Sequence, residues 1–439
     1  MNRSVTSTHP RATAPSSLPS APHYARKPPT PMSYDQPFAG LKVIDVSQGV
    51  AGPYCAMLLA QYGANVIKVE PPGVGDWARN LGVVYGDQCA YSLPANLGKR
   101  AIALDLKQPA GRAILWRLIA GADVFLQGFR PGVIERLGFS YADVSEREPR
   151  IIYLSVSGFG QIGPLAERPA MDPILQAYTG LTVENKGEDG IPHRTPIIAI
   201  DMSTALYAYS AVSTALYARR DEPRGRHIEA SLLQAAAGLQ VVRMMQSYLE
   251  GGAIRPPGAP SGVYQVADGW MTITVVRLHE WLGFCKAVDL PLFGADERYR
   301  TTQGRYDHAT EINTALRTLL ASQPFAYWSQ RLAAERIMHE QLNSYTGFLQ
   351  HPHVEASGAI AWLHHPHVPT EFPMPQLIGA PPLIDGSRLA TSPGLGEHTE
   401  AILHEHAYTS AEIADLINRG VVATSVIPRS EATKQSPSS

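Results

Sequence analysis

Short apolar runs alternate with helical spacing through the first third of the chain. Leu41–Val46 (LKVIDV), Ala64–Glu70 (ANVIKVE), Ala101–Leu106 (AIALDL), Val124–Gln127 (VFLQ) and Ile151–Ser155 (IIYLS) are apolar or β-branched and predict buried strands. The turn Ser47–Pro53 follows the first run. Pro53 suits the first position of a helix reaching about Tyr62, and Gly63 ends it. Together these make a strand–helix–strand unit of about thirty residues. A second helix is predicted over Gly111–Ala120. The alternation implies an α/β fold with a mostly parallel sheet and helices on both faces.

Beyond the fifth run the pattern changes. Residues 201–250 are rich in Ala, Leu and Met and predict two helices, broken at Arg219–Gly225, with His227–Gly238 opening the second. A Gly/Pro run at 251–262 leads to a hairpin, Gly262–Val275, turning at Asp268-Gly269. Helical segments fill 278–335, and the chain becomes Pro- and His-rich from His351. A helix over Ser410–Asn418, stopped by Gly420, closes the pattern. Residues 1–34 are rich in Ser, Thr, Pro and Arg without an apolar core, so they read as a disordered extension, with Met32 as the expected biological start. Residues 423–439 read as a disordered tail.

Composition narrows the function classes. The 439 residues are 44% hydrophobic and 17% charged, with a formal net charge of −2. That fits a globular protein of more than one domain and lacks the electrostatic footprint of a nucleic-acid or membrane-surface binder. No apolar run is long enough to span a bilayer. The three cysteines, Cys55, Cys89 and Cys285, have neither disulfide nor metal spacing, so a reducing, cytoplasmic setting is expected.

The candidate chemistry lies in Ile151–Gly180 (IIYLSVSGFGQIGPLAERPAMDPILQAYTG). A strand runs into a loop carrying Gly158, Gly160 and Gly163, and Asp172 then precedes Pro173 at a helix start. Asp172 is expected as the N-cap with Pro173 at the first helical position. A carboxylate at a helix N-terminus is held ionised and oriented, which suits a nucleophile. The loop amides are placed to hold an oxyanion. Glu70 stands where a dinucleotide fold puts its ribose-binding acid, but the first loop offers only Gly49 and Gly52, not G-x-G-x-x-G. His351, His353, His364, His365 and His367 are interleaved with Pro352 and Pro366 and read as a loop without a metal. Asp76 and Arg79 read either as a surface ion pair or, through Arg79, as a phosphate contact.

These motifs resemble the family III coenzyme A transferases, the group that includes formyl-CoA, carnitine-CoA and bile-acid CoA transferases and the α-methylacyl-CoA racemases. The resemblance runs from about Pro37 to Val422. It is carried by residues 38–79, NLGKRAIALDLK (96–107), GFRPGVIERLGFSYADV (128–144), the glycine loop with MDPILQAYTG (171–180), RGRHIEASLLQAA (224–236), ADGWMTITV (267–275) and PGLGEHT (393–399). It implies a Rossmann-like large domain built from both chain ends (35–225 and 352–422) and a smaller α+β domain (240–345), with linkers at 226–239 and 346–351. It also implies an interlocked homodimer.

By the same resemblance Asp172 is the catalytic carboxylate. It attacks an acyl-CoA, and CoA passes to a carboxylic acid acceptor through aspartyl-acyl anhydride and aspartyl-CoA thioester intermediates. Coenzyme A is then a substrate, not a tightly bound cofactor. Its expected contacts are Gln48, Val50, Ala51, Arg79, Lys99, Phe129 and Arg136, with Gly158, Gly160 and Gly163 as the oxyanion loop. Two positions depart from the family pattern: Gln127-Gly128 replaces an acid–asparagine pair, and Pro71 replaces an arginine after Glu70. The glycine-rich lid of the formyl-CoA members is not evident, its nearest counterpart being Arg255–Gly262, which argues against formyl-CoA and oxalate. The alternatives are an α-methylacyl-CoA racemase and a non-catalytic acyl-CoA-binding homologue. Racemisation needs a histidine base earlier in the chain, and none lies between His23 and His193.

Overall fold

In the computed structural model, which describes residues 36–186, 190–252 and 258–424, the apolar runs assemble into one seven-stranded sheet. Its strands are β1 (Lys42–Asp45), β2 (Asn65–Glu70), β3 (Arg100–Leu104), β4 (Val124–Gln127), β5 (Ile152–Ser157), β6 (Arg226–Ser231) and β7 (Val422–Ala423). The spatial order is β7-β3-β2-β1-β4-β5-β6. Every neighbouring pair is parallel except β7, which runs antiparallel to β3. The order reverses between β1 and β4, where Val43 pairs with Val124 and Ile44 with Phe125. A crevice opens beyond the carboxyl ends of strands at such a switch point, because the connecting helices leave in opposite directions.

Alternation along the strands builds two cores. Val43, Val124 and Leu126 point into one, which also takes the entirely buried helix α1 (Ala51–Gln61) and the inner face of a long helix, Ala199–Ala218. Ile44 and Phe125 point into the other, against the helices Pro109–Ile119 and Ser410–Asn418. Between these lie helix α2 (Asp172–Tyr178), then α3, the label used for Ala199–Ala218, followed by α4 (Leu232–Leu239) and α5 (Val241–Leu249).

Three sequence expectations need correction. α1 begins at Ala51, with Val50 as its N-cap, so Pro53 is its third residue. His227–Ser231 is not helical: Arg226–Ser231 pairs with Ile152–Ser157 as the sheet's edge, so the expected linker contributes a strand. Gly225 makes this entry possible, since a Cβ there would stand 1.8 Å from the Ile151 carbonyl oxygen. Ala423, expected in the tail, pairs with Ala103. The rest of the tail, the N-terminal extension and Arg255–Pro257 of the lid candidate lie outside the described residues.

The predicted hairpin is present as Ser261–Val266 and Gly269–Thr274, and a third strand, Met338–Gln341, joins it antiparallel. The helices between 278 and 334 pack on this sheet through Trp281, Phe284, Leu316 and Trp328. A separate two-stranded ladder, Ile360–Leu363 with Phe372–Pro375, occupies the Pro- and His-rich segment.

Phe125 is fully buried at the centre of the sheet, its ring 5.1 Å from that of Tyr153. Phe125→Ala is expected to cost about 3–5 kcal/mol of stability, read by denaturant unfolding. An unchanged midpoint would contradict this packing.

Candidate active site

The loops leaving β1, β4 and β5 enclose a cavity of about 900 Å³ at the switch point. Gln48, Val50 and Ala51 line it from the first loop, Phe129 and Arg136 from the second, and Gly158 from the third. The glycine at 158 is a matter of space: a Cβ would lie 2.2 Å from that of Ala170. The chain returning through Ala170, Met171 and Asp172 therefore passes directly against the end of β5. Gly160 and Gly163 are not at the wall; they hold left-handed turn positions, with φ of 96° and 103°.

Asp172 lies behind the wall, 1% exposed, between Met171 and Ile174, which both line the cavity. It is the first residue of α2 and does not cap its own helix; Met171 is the N-cap and no side chain bonds there. The Asp172 carboxylate reaches α3 instead. Its Oδ2 accepts the backbone N–H of Ile200 at 2.7 Å and of Asp201 at 3.1 Å. Its Oδ1 accepts Gln176 Nε2 at 2.5 Å. The two amides belong to the first turn of a 20-residue helix, whose free N–H groups and dipole favour an anion. Gln176 holds the approach of α3 as well: its Nε2 also donates to the Thr195 carbonyl at 3.1 Å, and its Oε1 accepts the Thr195 N–H at 3.0 Å.

A buried charge network fixes the first loop. Lys68 Nζ bonds the Ser47 carbonyl and lies 3.0 Å from Asp76 Oδ2. Asp76 Oδ1 accepts the Gly49 N–H at 2.8 Å, and Asp45 Oδ1 accepts that of Ser47 at 3.0 Å. Gly49 has φ of 85°, and a Cβ there would meet the Trp77 ring at 2.5 Å. Burial works to raise the Asp45 carboxyl, but Lys68 and Lys99 outweigh it and leave it below the ordinary value.

This network absorbs three residues that the sequence offered to a ligand. Lys99 is buried, donating to Asp45 Oδ2 and the Pro53 carbonyl, both at 2.8 Å, and burial pushes its ammonium down to about 8. Arg79 is buried and grips Glu70 at 2.6 and 2.8 Å, with Asp87 Oδ2 at 3.3 Å. Glu70 is thereby engaged as well. Lys99 and Arg79 stay off the cavity wall because the carboxylates beneath the loop already hold them; Asp76 and Arg79, expected as a surface pair, are both buried and pair instead with Lys68 and with Glu70 and Asp87. The departure at Gln127 also serves the loop: its Oε1 accepts the Phe129 N–H at 2.8 Å and its Nε2 donates to Ser155 Oγ at 3.0 Å.

Positive charge at the wall comes from Arg130, Arg136 and Arg168. Asp201, which also lines the cavity, is a further group that motif reading passed over, together with Gln176. Burial, followed by the neighbouring Asp172 carboxylate, pushes the Asp201 carboxyl up to about 7. In the histidine-rich segment His367 Nδ1 lies 3.0 Å from Asp87 Oδ1, and His364 Nδ1 lies 2.9 Å from Asp385 Oδ2. Among the described residues no group of three His, Cys, Asp or Glu side chains is placed to hold a metal.

Comparison with known proteins matches residues 38–399 to CoA-transferase family III. The chain is 37% identical over 306 residues to an acetyl-CoA:oxalate CoA-transferase of Acetobacter aceti, covering 68% of this chain and 79% of that protein. It is 29% identical over 411 residues to the succinyl-CoA:glutarate CoA-transferase of Homo sapiens, covering 90% and 92%. A crystal structure of a CaiB/BaiF family protein from Brucella suis matches with a TM-score of 0.72 and 27% identity, over 85% of this chain and all of that one.

Gln176 supplies one of the three donors to Asp172. Gln176→Leu removes it from a buried carboxylate, a loss of about 1.5–3 kcal/mol. Turnover is expected to fall at least roughly tenfold with the far-UV spectrum retained; unaltered kcat would contradict this role.

Proposed function

We propose that this chain, which belongs to CoA-transferase family III and transfers coenzyme A between an acyl-CoA and a carboxylic acid, does so through Asp172. The supporting observation is one buried carboxylate held by three N–H donors beside the cavity at the switch point. An Asp172 oxygen attacks the thioester carbonyl carbon, the C–S bond breaks, and the sulfur leaves with the electron pair, giving an aspartyl-acyl anhydride. The sulfur attacks the aspartyl carbonyl, releasing the donor acid and leaving an aspartyl-CoA thioester. The acceptor carboxylate displaces CoA from that thioester, and CoA then attacks the acceptor's carbonyl, restoring Asp172. An anhydride is activated enough to make this exchange without ATP. Donors already aimed at the aspartyl oxygens need no rearrangement as charge moves.

Coenzyme A lies along Gln48, Val50, Ala51 and Phe129, with Arg130 and Arg136 meeting its phosphates. Arg79 and Lys99 act on it only by holding the first loop. The pantetheine end approaches Asp172 past Met171 and Ile174. The relatives named for oxalate and glutarate favour a small dicarboxylate as acceptor. No tightly bound cofactor enters these steps. The enzyme works as an interlocked homodimer in the cytoplasm. In support, α5 buries none of its residues within the chain and exposes Val242, Met244, Met245, Tyr248 and Leu249, an apolar face suited to a second copy.

Asp172→Asn keeps the size of the side chain but not the nucleophile. Turnover is expected to be lost while acyl-CoA binding, read by calorimetry, stays within about threefold, a change of under 1 kcal/mol. Substantial residual transfer would overturn this assignment. Light scattering should give twice the 47.6 kDa chain mass; a monomer at working concentration would contradict the dimer.

A further inference from the structure

Asp201 is a carboxyl group of the cavity lining, and the steps above leave it without a role. It lies in the first turn of α3, and its own backbone N–H donates to Asp172 Oδ2 at 3.1 Å. The two acids are thus tied to one helix end, and Asp201 lines the cavity from which the thioester must approach. Arg130, Arg136, Glu167 and Arg168 line the same cavity, but Asp172 is the charged group that acts on Asp201.

We propose that Asp201 is the proton carrier of this site, protonating the CoA sulfur as Asp172 displaces it and taking the proton back when the thiol returns. The inference rests on the reading of Asp172 as nucleophile. In the forward step the Asp172 oxygen–carbon bond forms, the C–S bond breaks, and the Asp201 O–H proton passes to sulfur. The products are the anhydride, free thiol and Asp201 carboxylate. In the next step the carboxylate removes that proton as sulfur attacks the aspartyl carbonyl, so Asp201 is restored as the acid. No other reactant is required.

The electrostatics suit the task. Burial and then Asp172 raise the Asp201 carboxyl from 3.8 to about 7, so it is protonated below neutrality and ionised above it. A thiolate whose conjugate acid has a pKa of about 8.5 is the stronger base, so the transfer is downhill. A carrier near the working pH also gives the proton up again readily. Acylation by an acyl-CoA should therefore decline as pH rises through about 7, where the acid form disappears.

The test compares two donors bearing the same acyl group, the CoA ester and an aryl thioester whose thiolate needs no protonation. Acyl transfer to hydroxylamine is followed across pH. In the native enzyme the decline near pH 7 should occur with the CoA ester and vanish with the aryl thioester. Asp201→Asn keeps the size and a donor but carries no proton. It should slow the CoA ester about a hundredfold or more and the aryl thioester by less than about threefold. Asp201→Glu should restore part of the CoA-ester rate. The same decline with both donors in the native enzyme, or equal losses with both in Asp201→Asn, would overturn the proton-carrier role. Failure of the native enzyme to be acylated on Asp172 by either donor would instead overturn the nucleophile reading.

Discussion

The carboxylate of Asp172 bonds across to the first turn of α3, and the rest of the site depends on that contact. A carboxylate removed from water has to recover its hydrogen bonds inside the protein. Here two backbone amides and the Gln176 amide do so, and they also fix its orientation. The contact joins α2 to a helix packed in the main core, so the carboxylate inherits the rigidity of the sheet. Because Asp201 shares that helix turn, the same contact brings a second carboxyl group beside the first.

The opposite wall is held by a different device. Asp45, Lys68, Glu70, Asp76, Arg79 and Lys99 are buried together at the ends of β1 and β2. Removing one partner from such a set leaves an uncompensated charge in a poor solvent, which is strongly destabilising. The network ends on the backbone of Ser47 and Gly49, so its rigidity passes to the loop bordering the cavity. The residues around the cavity thus rest on two supports, one dipolar and one ionic, that meet at the switch point of the sheet.

Strands β1 to β5 were readable because central parallel strands are buried on both faces and leave continuous apolar runs. β6 was not: Arg226–Ser231 is an edge strand, largely exposed, and its polar composition beside an Ala-rich helix masks it. Asp172 stood out through its proline and the glycine loop. Its partners did not, because the Ile200 and Asp201 amides lie 28 and 29 residues downstream and are supplied by the fold. The partners of Arg79 and Lys99 were hidden for a related reason. A cation after a turn reads as a phosphate ligand until the carboxylates of neighbouring strands are placed beneath it. Asp201 left a signal, a lone acid within the apolar stretch PIIAIDMSTAL, that motif reading alone did not weigh.

The central claim, that Asp172 becomes covalently acylated, is tested most directly by peptide mass spectrometry after brief reaction with acetyl-CoA or succinyl-CoA and trapping with hydroxylamine or borohydride. The account predicts a donor-dependent modification on the peptide that contains Asp172, and on no other carboxylate. A donor that is turned over while Asp172 stays unmodified, or a modification at another residue, would contradict it.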